Sequence, residues 1–259
     1  MFTKSLLVGG ALAIAASGAS AFEFKSSEIH FGWDRIDSSA GDADGFNLGL
    51  DASAMASDTI ELDFGLGYAS PDNISGSGLD NLFRLSLAGN YLFSQGLYAG
   101  LFWDGTHFDS SGTFSGWAHV YGLQGGYKNG PVDVVAFYGV GDYSDIGAPS
   151  DSDSFGIDFT YTLQNGLDFG AYYLSEDLTT SSIDQYGVTV GYLVPSSQLS
   201  SVPVYIVGSF GRMKGATQSF DQFALGVSFP LSGDVKKGRK SFHGRSAFHN
   251  AFGIAGTLF

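Results

Sequence analysis

The 259-residue sequence contains no cysteine, so strand pairing and burial, not disulfides, must hold the fold together. It has no run of 18 or more apolar residues, which excludes transmembrane helices. Charged residues make up only 15% of the chain, less than the surface of a soluble acidic protein normally carries. With 12 Lys and Arg against 26 Asp and Glu, and no nucleic-acid module or phosphate-binding glycine loop, the chain is not expected to bind DNA or RNA.

The first residues have the three parts of a secretory signal peptide. Lys4 supplies the positive charge, residues 6–16 form a short apolar core, and Ala19-Ser20-Ala21 provides a small-residue cleavage site. We therefore expect a signal peptide over 1–21, cleaved after Ala21, and export of the chain that follows.

What the sequence has in quantity is period-two alternation. From Ile60 to Tyr68 an apolar side chain occupies every second position, with Glu61, Asp63 or glycine between them. The segment from Phe155 to Leu163 repeats this pattern. Because successive side chains of a strand point to opposite faces, each segment has one apolar face and one acidic or empty face. Behind an export signal, this pattern indicates a barrel with lipid outside and water inside.

Alternation and turn residues together predict an all-β fold, a transmembrane antiparallel up-and-down β-barrel of about 12 strands that occupies residues 22–231. Long connections are expected at one end of this barrel, including 37–44 and 176–183, and shorter ones at the other, as in outer-membrane barrels. The predicted strands are 27–36, 45–55, 59–69, 82–93, 96–105, 116–127, 131–141, 154–163, 166–175, 184–194, 202–212 and 220–230.

A soluble β-sandwich or lipocalin-like barrel is the competing interpretation, because alternation does not say which face is buried. A closed barrel of this size is too wide for apolar side chains to fill its interior. A sandwich gives no reason for the alternation of long and short connections. The direction of two strands stays open: both faces of 97–104 are apolar, and Trp117 shares a face with His119.

The Ala-Ser-Ala signal, the Phe22-Glu23-Phe24 start and the glycine- and aromatic-rich strands resemble the porin-type outer-membrane proteins of Gram-negative alphaproteobacteria. The strand from Phe223 to Phe229 adds to this resemblance. The resemblance implies a water-filled diffusion channel in the outer membrane. A basic tail after residue 231 departs from the family pattern, in which the last strand ends the chain.

The face opposite the aromatic stripes is predicted to line the pore, and its acidic residues outnumber its basic ones. Because charged rings concentrate counter-ions, we expect a cation-preferring channel. The alternatives are a plugged or narrow lumen and a non-conducting structural or adhesive barrel. The predicted pore-lining residues are Glu28, His30, Asp34, Asp51, Glu61, Asp63, Arg84, Asn90, Asp133, Asp158 and Asp168, with Asn47, Ser53, Gln124, Gln185 and Thr189 beside them.

Catalytic residues, cofactors and metal ligands are not predicted. Outer-membrane phospholipases carry a His, Ser and Asn set at one rim, but here no G-x-S-x-G motif places a base such as His119 beside a nucleophile. Glu28, His30 and Asp34 share a strand face, yet Asp34 lies ~13 Å from His30 at ~3.3 Å per residue, too far to share an ion.

The expected partners are outer-membrane lipid and lipopolysaccharide, small hydrophilic solutes or cations, and further copies of the chain in a homo-oligomer. The acidic pairs Asp42-Asp44 and Asp151-Asp153 fall in predicted outer loops. They could bind calcium or bridge lipopolysaccharide through divalent ions, although solvated turns are the better explanation.

The tail, residues 232–259, differs from the barrel in charge. Residues 22–231 hold six Lys or Arg and 25 Asp or Glu, a net charge of −19, whereas the tail has a net charge of +4. The tail could stay disordered in the periplasm, attract anionic lipid or cell-wall polymer, or fold back into the acidic lumen as a plug. A further possibility is that Phe248 to Phe259 forms a closing strand.

Overall fold

The computed structural model covers most of the chain after the predicted signal peptide. The signal peptide, 1–21, lies outside the residues that the structure describes. Among the described residues, no helix combines the length and the apolar character needed to cross a membrane. The described residues are 23–38, 41–72, 79–110, 115–147, 151–179, 181–195, 202–216, 218–233 and 244–250.

Twelve β-strands follow one another along the chain, so the predicted all-β fold and strand number are confirmed. Two short 3₁₀ turns, Ser94–Gly96 and Ser144–Ile146, precede β5 and β8. The strands are β1 Glu23–Ser38, β2 Gly41–Ser57, β3 Ile60–Asp72, β4 Leu79–Leu92, β5 Leu97–Ser110, β6 Ser115–Asn129, β7 Val132–Asp142, β8 Ser152–Thr162, β9 Leu167–Leu178, β10 Ser181–Val194, β11 Val204–Lys214 and β12 Ser219–Ser232.

The strands form one closed antiparallel barrel in which each strand pairs with its neighbours in sequence and β12 returns to pair with β1. At this seam Phe31 lies opposite Val227 and His30 opposite Ser228. We call the end where the chain enters at Glu23 and leaves at Ser232 the terminal end, and the other the distal end. Closure leaves no strand edge unpaired, as a barrel in lipid requires.

The connections differ from the prediction because the strands are longer. The predicted 37–44 and 176–183 connections are largely strand, which leaves only 39–40 between β1 and β2 and 179–180 between β9 and β10. At the terminal end, β10 and β11 are separated by the long stretch 195–203. The predicted long connections are therefore wrong at 37–44 and 176–183. Glycine, serine and aspartate resembled loop signals there, but β1 and β2 stay paired up to Ser38 and Gly41, and β9 and β10 up to Leu178 and Ser181.

The outer wall of the barrel is apolar. Leu101 and Phe46 keep 65% and 63% of their surface exposed, which would be unfavourable in water at about 25 cal/mol per Å² of apolar surface. Every strand contributes at least one exposed large apolar residue to this wall. These include Phe31, Phe46, Tyr68, Phe83, Leu101, Leu123, Tyr138, Phe159, Phe169, Val188, Phe210 and Phe223.

The inner wall carries the polar side chains. The strand pairings place one parity of residues inward along the body of each strand, and this assignment is consistent around the closed barrel. Register shifts near strand ends interrupt it in four pairings, β1–β12, β1–β2, β2–β3 and β4–β5. The buried inward polar residues include Glu28, Asp34, Asn47, Arg84, Asn90, Asp104, Gln124, Asp168, Glu176, Gln185 and Gln222. The distribution is therefore inverted relative to a soluble protein.

The register also settles the two strands whose direction the sequence left open. Phe102 and Asp104 of β5 are buried and point inward, whereas Leu101 is exposed on the outer wall. In β6, Ala118 and Val120 take the inward positions. Apolar residues occupy both faces of this region because its inner face packs against other lumenal side chains and not against water.

We predict that a disulfide will form across the β1–β12 seam when Phe31 and Val227 are both replaced by cysteine. Directly opposed strand residues lie ~4.5–5.5 Å apart between Cα atoms, within the range that a disulfide spans. The chain has no other cysteine, so oxidation of the folded protein should give one internal cross-link, seen by mass spectrometry. Phe31→Cys with Leu123→Cys on β6 is the control and should stay reduced; a missing seam cross-link would contradict closure.

Candidate functional site

The predicted pore-lining residues all lie at inward positions around one interior space. These positions give the direction of each side chain, and a role in conduction is a separate matter that belongs to the proposed function. Glu28, His30, Asp34, Arg84, Asn90 and Asp168 are buried, whereas Asp51, Glu61, Asp63, Asp133 and Asp158 are half-buried. Asn47, Gln124, Gln185 and Thr189, predicted beside them, are buried as well.

Hydrogen bonds join the wall residues across neighbouring strands. The side-chain amide of Asn90 donates to Asp63 at 2.7 Å, and Gln124 donates to the Oδ1 of Asn90 at 2.6 Å. The hydroxyl of Tyr205 donates to Asp168 at 2.6 Å. Amides and hydroxyls therefore hold part of the inner wall in place, as buried polar groups require.

The distal part of the interior contains an apolar cluster, which the sequence reasoning did not predict. Its buried residues lie near the distal ends of their strands, and they include Ile36, Leu82, Phe108, Leu178, Ile183, Met213 and Phe220. They belong to one continuous core cluster. The lumen therefore has a polar region towards the terminal end. At the distal end this apolar cluster, which we call the apolar region, adjoins buried polar residues such as Asp34, Glu176 and Gln185.

A segment of the tail lies inside this lumen. Residues 244–250, which we call the lumenal segment, end in a single helical turn over 247–250. Ser246, Ala247 and Phe248 are at most 2% exposed, and the contacts of the segment are with inward-facing residues of the wall. The alternative in which the tail folds back as a plug matches the structure over these residues.

Arg245 of the lumenal segment is bound by several wall groups. Its Nη1 lies 3.1 Å from the Oδ1 of Asp104, and its Nη2 donates to the Oε1 of Gln124 at 2.6 Å. The guanidinium carbon lies 4.5 Å from the centre of the Phe102 ring. The Nη2 of Arg84 is 3.8 Å from the same Asp104 carboxylate. Asp104 is fully buried, so these two arginines balance a charge that would otherwise be costly.

Glu176 anchors the segment from the other side of the lumen. Its Oε2 accepts a hydrogen bond from the Ser246 hydroxyl at 2.8 Å and from the backbone N–H of Phe248 at 2.9 Å. Its Oε1 accepts from Ser152 at 2.9 Å and from the hydroxyl of Tyr143. Four donors thus surround one buried carboxylate.

Aromatic packing fixes the end of the segment in the apolar region. The Phe248 ring stacks on Tyr143 with 4.6 Å between centroids and meets Phe108 edge-on. The Nδ1 of His249 is 3.1 Å from the hydroxyl of Thr106. The segment therefore combines ionic and hydrogen-bonded contacts with apolar contacts.

The segment reaches from one side of the barrel to the other. Arg245 contacts Ser86 on β4 at 3.5 Å, and Asn250 donates to Gln185 on β10 at 2.9 Å. In a closed barrel of twelve strands, β4 and β10 stand on opposite sides. A lumenal segment that touches both walls obstructs the bore in this conformation.

Sequence reasoning gave the plug as one alternative but missed Asp104 and Glu176, the two carboxylates that bind the segment. Asp104 lies in the strand whose direction was open, and Glu176 lies where a loop was expected. Continuing the alternation from Asp168 through even-numbered residues would have placed Glu176 inward. The thirteenth strand beginning at Phe248 is wrong, because β12 closes the barrel and 247–250 is helical. Lys236, Lys237, Arg239 and Lys240 lie outside the described residues, so the lipid alternative stays untested.

Two other predicted features take ordinary structural roles. His119, considered as a base in the lumen, lies on the outer face of β6, where its ring stacks on Trp117 with 5.9 Å between centroids. In the acidic pairs, Asp42 accepts a hydrogen bond from Arg35 at 2.8 Å, and Asp153 accepts one from the hydroxyl of Tyr138.

Comparison with known proteins identifies the fold but not a family. No protein-family model and no curated protein matches the chain. Among solved structures, the KdgM porin in complex with disordered oligogalacturonate is similar with a TM-score of 0.53 and 12% identity, covering 79% of this chain and 99% of that one. A second structure of the KdgM porin has a TM-score of 0.51 and 12% identity, covering 78% and 99%. The chain thus has the closed-barrel architecture that porins share.

We predict that a cysteine introduced by Ala247→Cys will be protected from a maleimide in the folded protein and exposed when Asp104 is changed to Asn. Removing one partner of a buried ion pair costs about 3–5 kcal/mol. Each step of roughly 1.4 kcal/mol raises the population of the state in which the segment has left the lumen tenfold. The labelling rate should therefore rise about 100-fold or more. The measurement is the labelling rate followed by mass spectrometry.

The matched control is Asp133→Asn, which changes a half-buried wall carboxylate whose ion-pair partner is Lys128. It should leave the cysteine at position 247 protected, whereas a cysteine at the exposed Ser232 should react at once in either background. Rapid labelling of the Ala247→Cys protein with no other change would show that the segment does not occupy the lumen.

Proposed function

We propose that this protein is an outer-membrane channel for passive diffusion of small hydrophilic solutes, closed in this conformation by its own lumenal segment. The observation that carries the proposal is the inverted distribution of side chains in a closed barrel. An apolar outer wall suits lipid, and a polar inner wall suits water and solutes.

The size and strand length of the barrel support this function. Its strands have 11 to 17 residues, and about 9–11 tilted residues are enough to cross the apolar part of a bilayer. A closed barrel satisfies every backbone group internally, which is the condition for spanning hydrocarbon. The architecture shared with the KdgM porin is consistent with a channel, although 12% identity does not carry over its solute.

Cation preference is the finer part of the proposal. In the polar region, Glu28, Asp51, Glu61, Asp63 and Asp158 are inward-facing carboxylates. The inward arginine Arg84 lies beside Asp104 and does not reverse this balance. An acidic wall in a narrow bore attracts cations and repels anions, so an anionic polymer would be a poor solute for this wall.

The lumenal segment is the gate in this proposal. Asp104 binds the guanidinium of Arg245, and Glu176 accepts hydrogen bonds from the Ser246 hydroxyl and the Phe248 backbone N–H. Because these contacts are made by side chains of the wall, the segment can leave without breaking strand pairing. The apolar distal cluster would add a second barrier, because apolar constrictions exclude water and ions. A non-conducting structural or adhesive barrel is the second candidate, and it is this distal cluster that favours it.

The remaining expectations concern export, location, source and assembly. Export by the signal peptide 1–21, insertion among outer-membrane lipid and lipopolysaccharide, an alphaproteobacterial source and association into homo-oligomers stay predictions. An enzyme would require a base beside a nucleophile in the lumen, and the proposal assigns the protein none.

We predict that removing residues 233–259 will open the channel. The shortened chain ends after Ser232, the last residue of β12, so the closed barrel remains intact while the lumenal segment is absent. In planar bilayers we expect a steady conductance for the shortened chain and little for the full chain. Arg245→Ala should give intermediate, flickering currents, whereas Arg212→Ala, which removes an exposed pair with Asp221, should behave as the full chain does.

The same recordings under a salt gradient test selectivity. Cation preference should shift the reversal potential towards the equilibrium potential of the cation, and an anionic shift would overturn that part of the proposal. Circular dichroism should show unchanged strand content in all variants. If the shortened chain folds and still carries no current, the non-conducting barrel becomes the better explanation.

A further inference from the structure

Glu28, His30 and Asp51 form a compact group of metal-ligating side chains in the polar region of the lumen, which we call the β1–β2 cluster. One ligand atom of each residue lies within 4.8 Å of the other two. The Nδ1 of His30 is 3.4 Å from the Oδ2 of Asp51. Glu28 and His30 are buried, and the side chain of Asp51 is 13% exposed.

The strand geometry explains why these residues meet. Glu28 and His30 are two positions apart on β1 and so share the inward face. The register then places Asp51 of β2 directly opposite Glu28, and Gly49 opposite His30. A Cβ at Gly49 would collide with the His30 imidazole, so this glycine lets the ring lie across β2 towards Asp51.

The third residue of the cluster comes from the neighbouring strand and not from β1. Asp34 shares a face with Glu28 and His30, but it is bound instead by the side-chain amide of Asn47. Asp51 is 21 residues further along than His30 and reaches the cluster only through the β1–β2 pairing. One strand alone therefore offered two ligands, and the neighbouring strand supplies the third.

The electrostatics of the cluster favour a cation. Two carboxylates held this close repel each other, and an ion bound between them and the imidazole relieves the repulsion. The Oδ2 of Asp51 is buried and accepts no hydrogen bond among the described residues. Next to His30 across the β1–β12 seam, the buried hydroxyl of Ser228 also has no hydrogen-bond partner among the described residues.

The ligand types indicate a transition metal and not calcium. Ca²⁺ takes about 6–8 oxygen ligands, whereas a site of three nitrogen and oxygen ligands with an open fourth position is typical of Zn²⁺. With bonds of about 2.0–2.2 Å, tetrahedral ligand atoms lie roughly 3.5 Å apart. Small side-chain rotations would be needed to bring the present spacing of up to 4.8 Å to that value.

We propose that Glu28, His30 and Asp51 bind a divalent transition metal ion, with Zn²⁺ as the best-fitting ion. The bound ion would join β2 to β1, the strand that pairs with β12 to close the barrel. This site is independent of the proposed channel function, because it requires neither conduction nor movement of the lumenal segment.

The test is zinc binding by the full chain, purified in detergent and stripped of metal with a chelator. Calorimetry and competition with a chromophoric zinc chelator should give one Zn²⁺ per chain, with Ca²⁺ binding far more weakly. Zinc should also raise the thermal unfolding midpoint, since a ligand that binds only the folded state stabilises it.

The variants identify the ligands. His30→Ala and Asp51→Asn should each weaken zinc binding by more than the roughly 10- to 100-fold that loss of a supporting partner costs. Asp63→Asn, the same change at another inward aspartate, and His107→Gln on the outer face should bind as the unaltered protein does. Circular dichroism checks that each variant folds. If His30→Ala does not fold, the zinc affinity of Asp51→Asn is the deciding measurement.

Absence of zinc binding, equal affinity for Ca²⁺, or unchanged affinity in a folded His30→Ala or Asp51→Asn protein would overturn the proposal. None of these results depends on whether the barrel conducts, so failure here is distinguishable from failure of the channel proposal.

Discussion

The whole structure depends on the closure of one antiparallel ladder. When β12 pairs with β1, every strand has two neighbours and the inward or outward direction of each residue is fixed around the ring. Since a register slip of one residue reverses the faces of a strand, the alternation in the sequence must agree on all twelve strands. The agreement of an exposed apolar wall with a buried polar wall is what suits this molecule to a bilayer.

Closure at this size creates an interior that wall side chains alone do not fill. The protein fills part of it with its own chain. Asp104 and Glu176 are fully buried carboxylates, which would be strongly destabilising without partners. The lumenal segment supplies Arg245 to one and donors from Ser246 and Phe248 to the other. The buried carboxylates of the wall and the lumenal segment are therefore parts of one electrostatic arrangement.

The sequence predicted the fold well wherever alternation was undisturbed. Glu61, Asp63 and Asp158 stand between apolar residues, and the barrel places them inward. Prediction failed where both faces of a strand are apolar, as around Asp104, because packing inside the lumen removes the contrast between the two faces. Glu176 was predicted to lie in a loop, because the local turn signals outweighed the alternation that continues through it.

Contacts between distant parts of the chain were harder to predict. The charge of the tail suggested a plug among several alternatives, but only the folded chain shows that Phe248 stacks on Tyr143. Likewise, Asp51 joins His30 through a strand register that residue spacing does not contain. Pairwise register and long-range charge contacts are set by the closed ladder as a whole, and single-strand patterns do not determine them.

The central claim is that the two faces of each strand lie in different media. The most direct measurement is fluorescence quenching of single cysteines, labelled with an environment-sensitive dye, along β8 in bilayers of brominated lipid. Labels at Ile157 and Phe159 should be quenched by the lipid, whereas labels at Asp158 and Thr160 should be quenched only by a water-soluble reagent. Lipid quenching at Asp158 and Thr160, or none at Ile157 and Phe159, would contradict this account.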